Sequence, residues 1–231
     1  MKLLPTLTTL VKDEWRNKIN EIDALGLKEI ALFPTAIEHD ERQELYKLLE
    51  KTDLQKIPFV HLREEDMDEN EIKYFVERWG AEIFNIHPDR GEGRNESLSK
   101  YRDQIYVENI WDLKENDLSG FAGICLDFSH LENARLTNEE NYKQVVATIE
   151  KGKVGCAHIA AIYLKPVEKI WHGLKQTVGR LDYHHAESNE RFNYLKNYPR
   201  EMFPSIAAIE VENPLSEQLR FRDYIIDLLK L

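Results

Sequence analysis

The sequence predicts an α/β fold, a single (β/α)8 TIM barrel over residues 1–231, with parallel strands and a metal site at the C-terminal face. Short apolar runs alternate with amphipathic helical stretches along the chain, which implies parallel pairing through right-handed crossovers. Run after run ends in or beside a His, Asp or Glu, as in Ile57-Pro-Phe-Val-His61, Gly123-Ile-Cys-Leu-Asp127 and Gly155-Cys-Ala-His158. Barrel strands bury aliphatic side chains and present functional groups at their carboxyl ends. A length of 231 residues also suits one barrel.

Trp15, Ile19 and Ile22 share one face of a leading helix that Gly26 can end. Ile30 to Phe33 is the first expected strand. Leu45, Leu48 and Leu49 mark the next helix, and Phe59-Val60-His61 closes strand two. Asp68-x-x-Glu71 reads as a capping box ahead of the stripe Ile72, Phe75, Val76 and Trp79, with Gly80 as a stop. Ile83 to Ile86, Ile105 to Val107 and Ala122 to Leu126 are strands three to five. Thr137-x-x-Glu140 caps a helix carrying Val145, Val146 and Ile149, which stops at Gly152. Val154 to Ile159 is strand six, a weaker run near Val178 to Leu181 is strand seven, and Ile206 to Ile209 is strand eight. Ser216 is placed to cap a final helix with Phe221, Ile225, Leu228 and Leu229. An open doubly wound sheet is the alternative fold, but it gathers ligands at one switch point rather than on nearly every strand.

Composition narrows the function classes. A formal net charge of -11 argues against a broadly basic nucleic-acid surface. No apolar stretch approaches the ~20 residues of a membrane span. Met1-Lys-Leu-Leu-Pro5 turns polar too soon for a secretory signal, so a cytoplasmic location is expected. Cys125 and Cys156 are read as buried core thiols, with a ligand or redox role as the alternative.

Closing a barrel would bring His61, His87, Glu108, Asp127, His130, His158, His184 and Glu210 around one opening. So many imidazoles and carboxylates lose solvation or repel unless a cation joins them. Mixed His and carboxylate ligands favour zinc, with manganese, iron, cobalt or magnesium as alternatives. His39 and His172 lie in polar or helical contexts and are set aside. Arg63, Lys165 and Arg180 are read as solvated surface charge, with phosphate binding as the alternative.

At this point the chain resembles the endonuclease IV and xylose-isomerase-like barrels, which include AP endonuclease family 2 and the sugar phosphate isomerase/epimerase-like proteins. The matching segments are Asn85-Ile-His-Pro88, Val107-Glu-Asn109, Gly123-Ile-Cys-Leu-Asp-Phe-Ser-His130, Asp182-Tyr-His-His185 and Ile209-Glu-Val-Glu-Asn-Pro214. The resemblance implies nine ligands for three zinc ions. His61, His87 and Glu108 hold one. Glu108 bridges to a second, held also by Asp127, His158 and Glu210. His130, Asp182 and His184 hold the third. Glu212 is the alternative to Glu210, and His185 to His184.

Two reactions are compatible with this pattern. As a metal-dependent phosphoester hydrolase, the protein would use clustered ions to activate water and polarise a phosphate, with Glu108 positioning the nucleophile. As a sugar or sugar-phosphate isomerase or epimerase, it would use Glu108, Asp127, His158 and Glu210 around one ion, with Glu108 and Glu210 moving a proton beside a carbonyl. A non-catalytic metal-binding barrel is the third reading. The expected substrate is small and phosphorylated or a sugar; damaged DNA remains an option that the net charge does not favour. No membrane partner is expected, and the sequence leaves oligomeric state and the choice of reaction open.

Overall fold

A computed structural model describes residues 1–89, 96–110, 113–165, 168–171, 174–177 and 180–230, with only the backbone described at 96, 97, 168–171 and 174–177. The chain starts with β1 (Lys2–Leu4) and β2 (Thr6–Thr8), followed by α1 (Glu14–Ala24) and β3 (Glu29–Phe33). Then come α2 (His39–Leu49), β4 (Lys56–His61), α3 (Glu69–Trp79) and β5 (Ile83–Ile86). Two 3-10 segments, Glu96–Gln104 and Glu115–Leu118, flank β6 (Ile105–Glu108). β7 (Gly123–Asp127) runs straight into α4 (Phe128–Thr137), α5 (Glu139–Lys151) and β8 (Val154–Ile159). β9 (Ala161–Ile162), β10 (Glu168–Trp171), β11 (Leu174–Thr177) and β12 (Asp182–Tyr183) form two small antiparallel pairs, and β13 (Ile206–Ile209) and α6 (Leu215–Leu229) complete the order.

The large sheet runs β1-β13-β8-β7-β6-β5-β4-β3-β2 with parallel pairing throughout. β1 and β2 are one extended stretch interrupted only at Pro5, so the ring closes on itself as a (β/α)8 barrel. Proline has no N–H to give to a neighbour, but the Pro5 carbonyl accepts from Ala31 N at 2.9 Å, which carries the stave across the break. This corrects one expected strand. Val178 and Gly179 lie outside the described residues, and Arg180 and Leu181 are not strand. The adjoining β12 pairs antiparallel with β9, outside the barrel wall. The missing stave is the N-terminal one, whose threonines and proline hide it from an apolar-run reading.

Two cores follow from the period of two along each strand. One face, with Leu32, Val60, Phe84, Val107, Leu126 and Ile209, packs outward under the helices. The other, with Leu4, Phe33, Phe59, Tyr106, Cys125 and Cys156, fills the barrel interior. Both cysteines are buried and unbridged, as expected for core thiols.

Helix ends show finer departures. Asp68 accepts from Asn70 N and Glu71 N as a cap, but Glu71 does not complete a capping box. Its carboxylate instead takes Arg42 Nε at 3.0 Å, Arg42 Nη2 at 2.8 Å and the Tyr46 hydroxyl at 2.8 Å, tying α2 to α3. Asn138, not Thr137, caps α5 through Asn141 N. Ser216 lies inside the first turn of α6 and gives its N–H to Glu21.

Gly123 opens β7 at φ +145°, and a Cβ there would stand 2.1 Å from the Lys153 carbonyl oxygen. Neither the backbone angle nor that backbone atom can yield cheaply. Gly123→Ala is therefore expected to cost at least about 2 kcal/mol, a fall in Tm of roughly 4–8 °C for a chain of this size. Thermal unfolding by circular dichroism measures it, and an unchanged Tm would refute the strain.

Candidate metal centre

Each interior strand position places the next inward residue, two further along, at the carboxyl end of the barrel. Phe59 is followed in this way by His61, Tyr106 by Glu108, Cys125 by Asp127, Cys156 by His158, and Ala208 by Glu210. The parallel register sets Asp127 beside His158 and His158 beside Ala208. Pairing and pleat alone therefore aim these side chains into one mouth.

Among the described residues, two groups bring their ligand atoms within 4.8 Å of one another: His61, His87 and Glu108, and Glu108, Asp127, His158 and Glu210. Glu108 belongs to both. Its Oε2 lies 3.2 Å from His61 Nε2, 3.3 Å from His158 Nδ1 and 3.9 Å from His87 Nε2, and its Oε1 lies 3.2 Å from His130 Nε2. Glu210 Oε2 approaches His158 Nδ1 to 3.1 Å. That approach is not aligned as a hydrogen bond: both His158 nitrogens, Asp127 Oδ2 and Glu210 Oε2 are buried without a hydrogen-bond partner. Unsatisfied buried polar atoms are costly and call for an unseen partner. With one nitrogen from His158, the set Glu108, Asp127, His158 and Glu210 brings four ligand atoms together, and that donor chemistry fits a divalent cation.

Neighbouring groups prepare the ligands. His61 Nδ1 lies 3.1 Å from the Leu62 carbonyl, which leaves Nε2 as the acceptor facing Glu108 when Nδ1 carries the proton. Asp127 caps α4, with Oδ1 accepting from His130 N at 2.8 Å and Ser129 Oγ at 2.6 Å, so that Oδ2 remains for the centre. Asn109 clamps the same residue through its backbone, at 2.5 Å to Asp127 N and 3.0 Å to Asp127 O. Asn85 Nδ2 donates to Glu108 Oε2 at 3.1 Å. Both asparagines lie in segments that carry the resemblance, Asn85-Ile-His-Pro88 and Val107-Glu-Asn109, but the sequence reading assigns neither a role.

The electrostatics describe a centre that is short of positive charge. Burial opposes charge on His158 and His130, but Glu210 and Glu108 around the first, and Asp127, Asp182 and Glu108 around the second, hold both imidazoles well above their ordinary pKa. Burial would raise Glu108, yet His158, His130 and His61 hold it well below the usual carboxylate range. Asp127 is pushed up by burial. His87, with burial and His61 acting together, falls to about 4. Without a bound ion, protons on the histidines are what balances the carboxylates.

The remaining expected ligands are arranged differently. His130 Nδ1 lies 2.7 Å from Asp182 Oδ2, but it also lies 2.7 Å from Arg180 Nη2. Arg180 donates to Asp182 through Nε at 2.9 Å and through Nη2. His130, Asp182 and His184 do not assemble into a third such group among the described residues, and Arg180 contacts both His130 and Asp182. The reading of Arg180 as solvated surface charge is therefore corrected: it lies in the site. Arg63 instead pairs with the Ile37 carbonyl and Glu38. His184, not His185, lines the cavity of about 160 Å³ above Glu108. Glu212 faces Lys18 at 3.6 Å rather than the Glu108 groups. His39 is exposed at the start of α2, and His172 lies outside the described residues.

No helix among the described residues is long and apolar enough to cross a membrane. No protein-family model and no curated protein sequence matches the chain. Among solved structures, an AP endonuclease, family 2, from Brucella melitensis superposes with TM-score 0.50 at 12% identity, over 96% of this chain and 98% of that one. An HpcH/HpaI aldolase from Desulfitobacterium hafniense DCB-2 superposes with TM-score 0.44 at 11% identity, over 100% of this chain and 93% of that one. The likeness to the AP endonuclease family 2 structure bears out the expected barrel fold.

Proposed function

We propose that the protein is a divalent-metal-dependent enzyme, a zinc phosphoester hydrolase acting on a small phosphorylated substrate. The observation that carries this is the pair of ligand groups sharing Glu108 at the barrel mouth. Closely spaced divalent ions supply Lewis acidity for a phosphoryl oxygen and for the attacking water. The chain's own residues do the rest. Glu108, fixed by Asn85, would hold the two positions at a set spacing, while Asp127, fixed by Asn109 and Ser129, presents one oxygen inward. The cavity above Glu108 opens beside one of about 310 Å³ that shares Arg180 and His184 with it. These sizes and the -11 net charge favour a small ester over duplex DNA.

A second reading rests on the deeper group alone. Glu108, Asp127, His158 and Glu210 are all buried and could hold one ion by themselves, as an isomerase or epimerase of sugars or sugar phosphates requires. Glu108 and Glu210 would then serve as the proton-moving pair. The test is elemental analysis after reconstitution, followed by turnover of p-nitrophenyl phosphate and bis-p-nitrophenyl phosphate. More than one zinc per chain with ester hydrolysis is expected. One ion per chain, with sugar isomerisation and no hydrolysis, would replace the first reading by the second.

A further inference from the structure

We propose that Arg180 stands where the three-ion pattern places its third cation, so that the chain binds two divalent ions and offers the guanidinium to an anionic oxygen of its substrate. The inference rests on the metal-centre reading above and goes further by fixing the ion count and naming an anion-binding residue.

The geometry carries the first half. A third ion would need His130, Asp182 and His184 to be free to coordinate. Both oxygens of Asp182 already accept from Arg180, and His130 Nδ1 lies 2.7 Å from both Arg180 Nη2 and Asp182 Oδ2. Whether that nitrogen carries a proton or a lone pair, it is engaged. His130 turns its other nitrogen inward, to 3.2 Å from Glu108 Oε1. A divalent ion entering here would meet a fixed like charge and would have to displace a two-pronged ion pair. His184 is left facing the cavity with its ring centre 6.4 Å from that of His130.

Placement carries the second half. Asp182 is buried, while the Arg180 side chain keeps 39% of its surface open. Arg180 lines both the cavity above Glu108 and the adjoining larger one. Its Nη1 makes no hydrogen bond to any described residue. A guanidinium tethered at one edge by a carboxylate and lining a cavity beside the candidate metal centre suits a phosphate or carboxylate oxygen. A solvated arginine would have no such anchor, because no buried carboxylate would hold it at the mouth.

The test compares wild type with Arg180→Met and Arg180→Lys, each checked for folding by circular dichroism. Zinc is counted after reconstitution and dialysis, and inorganic phosphate is titrated by calorimetry. Two zinc ions are expected in wild type and up to three in Arg180→Met. Phosphate affinity should fall at least about tenfold in Arg180→Met and recover in part in Arg180→Lys. Zero, one or three ions in wild type would overturn the two-ion count. Phosphate affinity within twofold of wild type in Arg180→Met would overturn the anion site. If wild type binds no metal at all, the metal-centre reading falls with the count, and a loss of phosphate binding in Arg180→Met would still uphold the guanidinium as an anion site.

Discussion

Glu108→Gln is expected to empty both ligand groups together and to lower phosphoester turnover by at least about 100-fold. Residues that merely support a ligand already cost 10–100-fold in metal affinity or activity, and Glu108 is itself common to the two groups. The amide keeps the shape of the side chain but replaces one acceptor oxygen with a donor. In the native arrangement Asn85 Nδ2 gives to Oε2, and His61, His130 and His158 all stand within 3.3 Å of the carboxylate. A neutral amide cannot serve all of them. His87→Ala is the informative contrast, because His87 belongs to the His61 group only. It should lose about one ion and leave the Asp127, His158 and Glu210 side loaded. Elemental analysis of the two variants separates these outcomes. Full metal content in Glu108→Gln, or turnover within a few-fold of wild type, would remove Glu108 from the centre.

Arg42→Ala is expected to be the most damaging change away from the mouth. Arg42 is fully buried between α2 and α3. It bonds both oxygens of Glu71, the Ile37 carbonyl at 3.1 Å and Asp66 at 3.0 Å. Removing it leaves the Glu71 carboxylate buried with the Tyr46 hydroxyl as its remaining hydrogen-bond partner. Breaking a buried pair from one side costs about 3–5 kcal/mol, which for a chain of this length lowers Tm by roughly 6–20 °C. Removing both charges, in Arg42→Met with Glu71→Leu, should restore most of that loss, since a well-packed apolar replacement of a buried pair is often neutral. Urea denaturation of the single and double variants measures the coupling. An Arg42→Ala protein as stable as wild type would show that the network contributes nothing.

Much of the barrel is legible in the sequence because its strands announce themselves locally. Ile83 to Ile86, Val154 to Ile159 and Ile206 to Ile209 are apolar runs whose bounds coincide with β5, β8 and β13. The convergence of His61, Glu108, Asp127, His158 and Glu210 on one mouth follows from the same runs once the pleat is applied. The N-terminal stave is not legible, because what stabilises it lies elsewhere in the chain. Thr6 N gives to Gln218 Oε1 at 2.7 Å, and Gln218 Nε2 returns a bond to Thr6 O at 3.0 Å. A side-chain amide on α6 thus satisfies the backbone of β2, and no window of neighbouring residues contains that pairing. Arg180 fails for a related reason. Next to glycine and leucine it looks like surface charge, and only the arrival of His130, 50 residues earlier in the chain, beside Asp182 gives it a role. Glu71 misleads in the opposite sense: its spacing from Asp68 suggests a cap, but a buried arginine competes for it and wins.

The N-terminal stave also sets an order of events in biosynthesis. Lys2–Leu4 leaves the ribosome well before its partner on one side, Ile206–Ile209, which follows roughly 200 residues later. At ~5–20 residues per second that is a wait on the order of 10–40 s. Until then β1 and the growing β8 edge carry unpaired backbone groups, and exposed edges of this kind recruit other chains. Contacts between distant parts of a sequence also form slowly, since the loop must close before they stabilise anything. The yield of native protein should therefore respond to how fast it is made and to holdase chaperones that shield open sheet edges, more than to the stability of the closed ring.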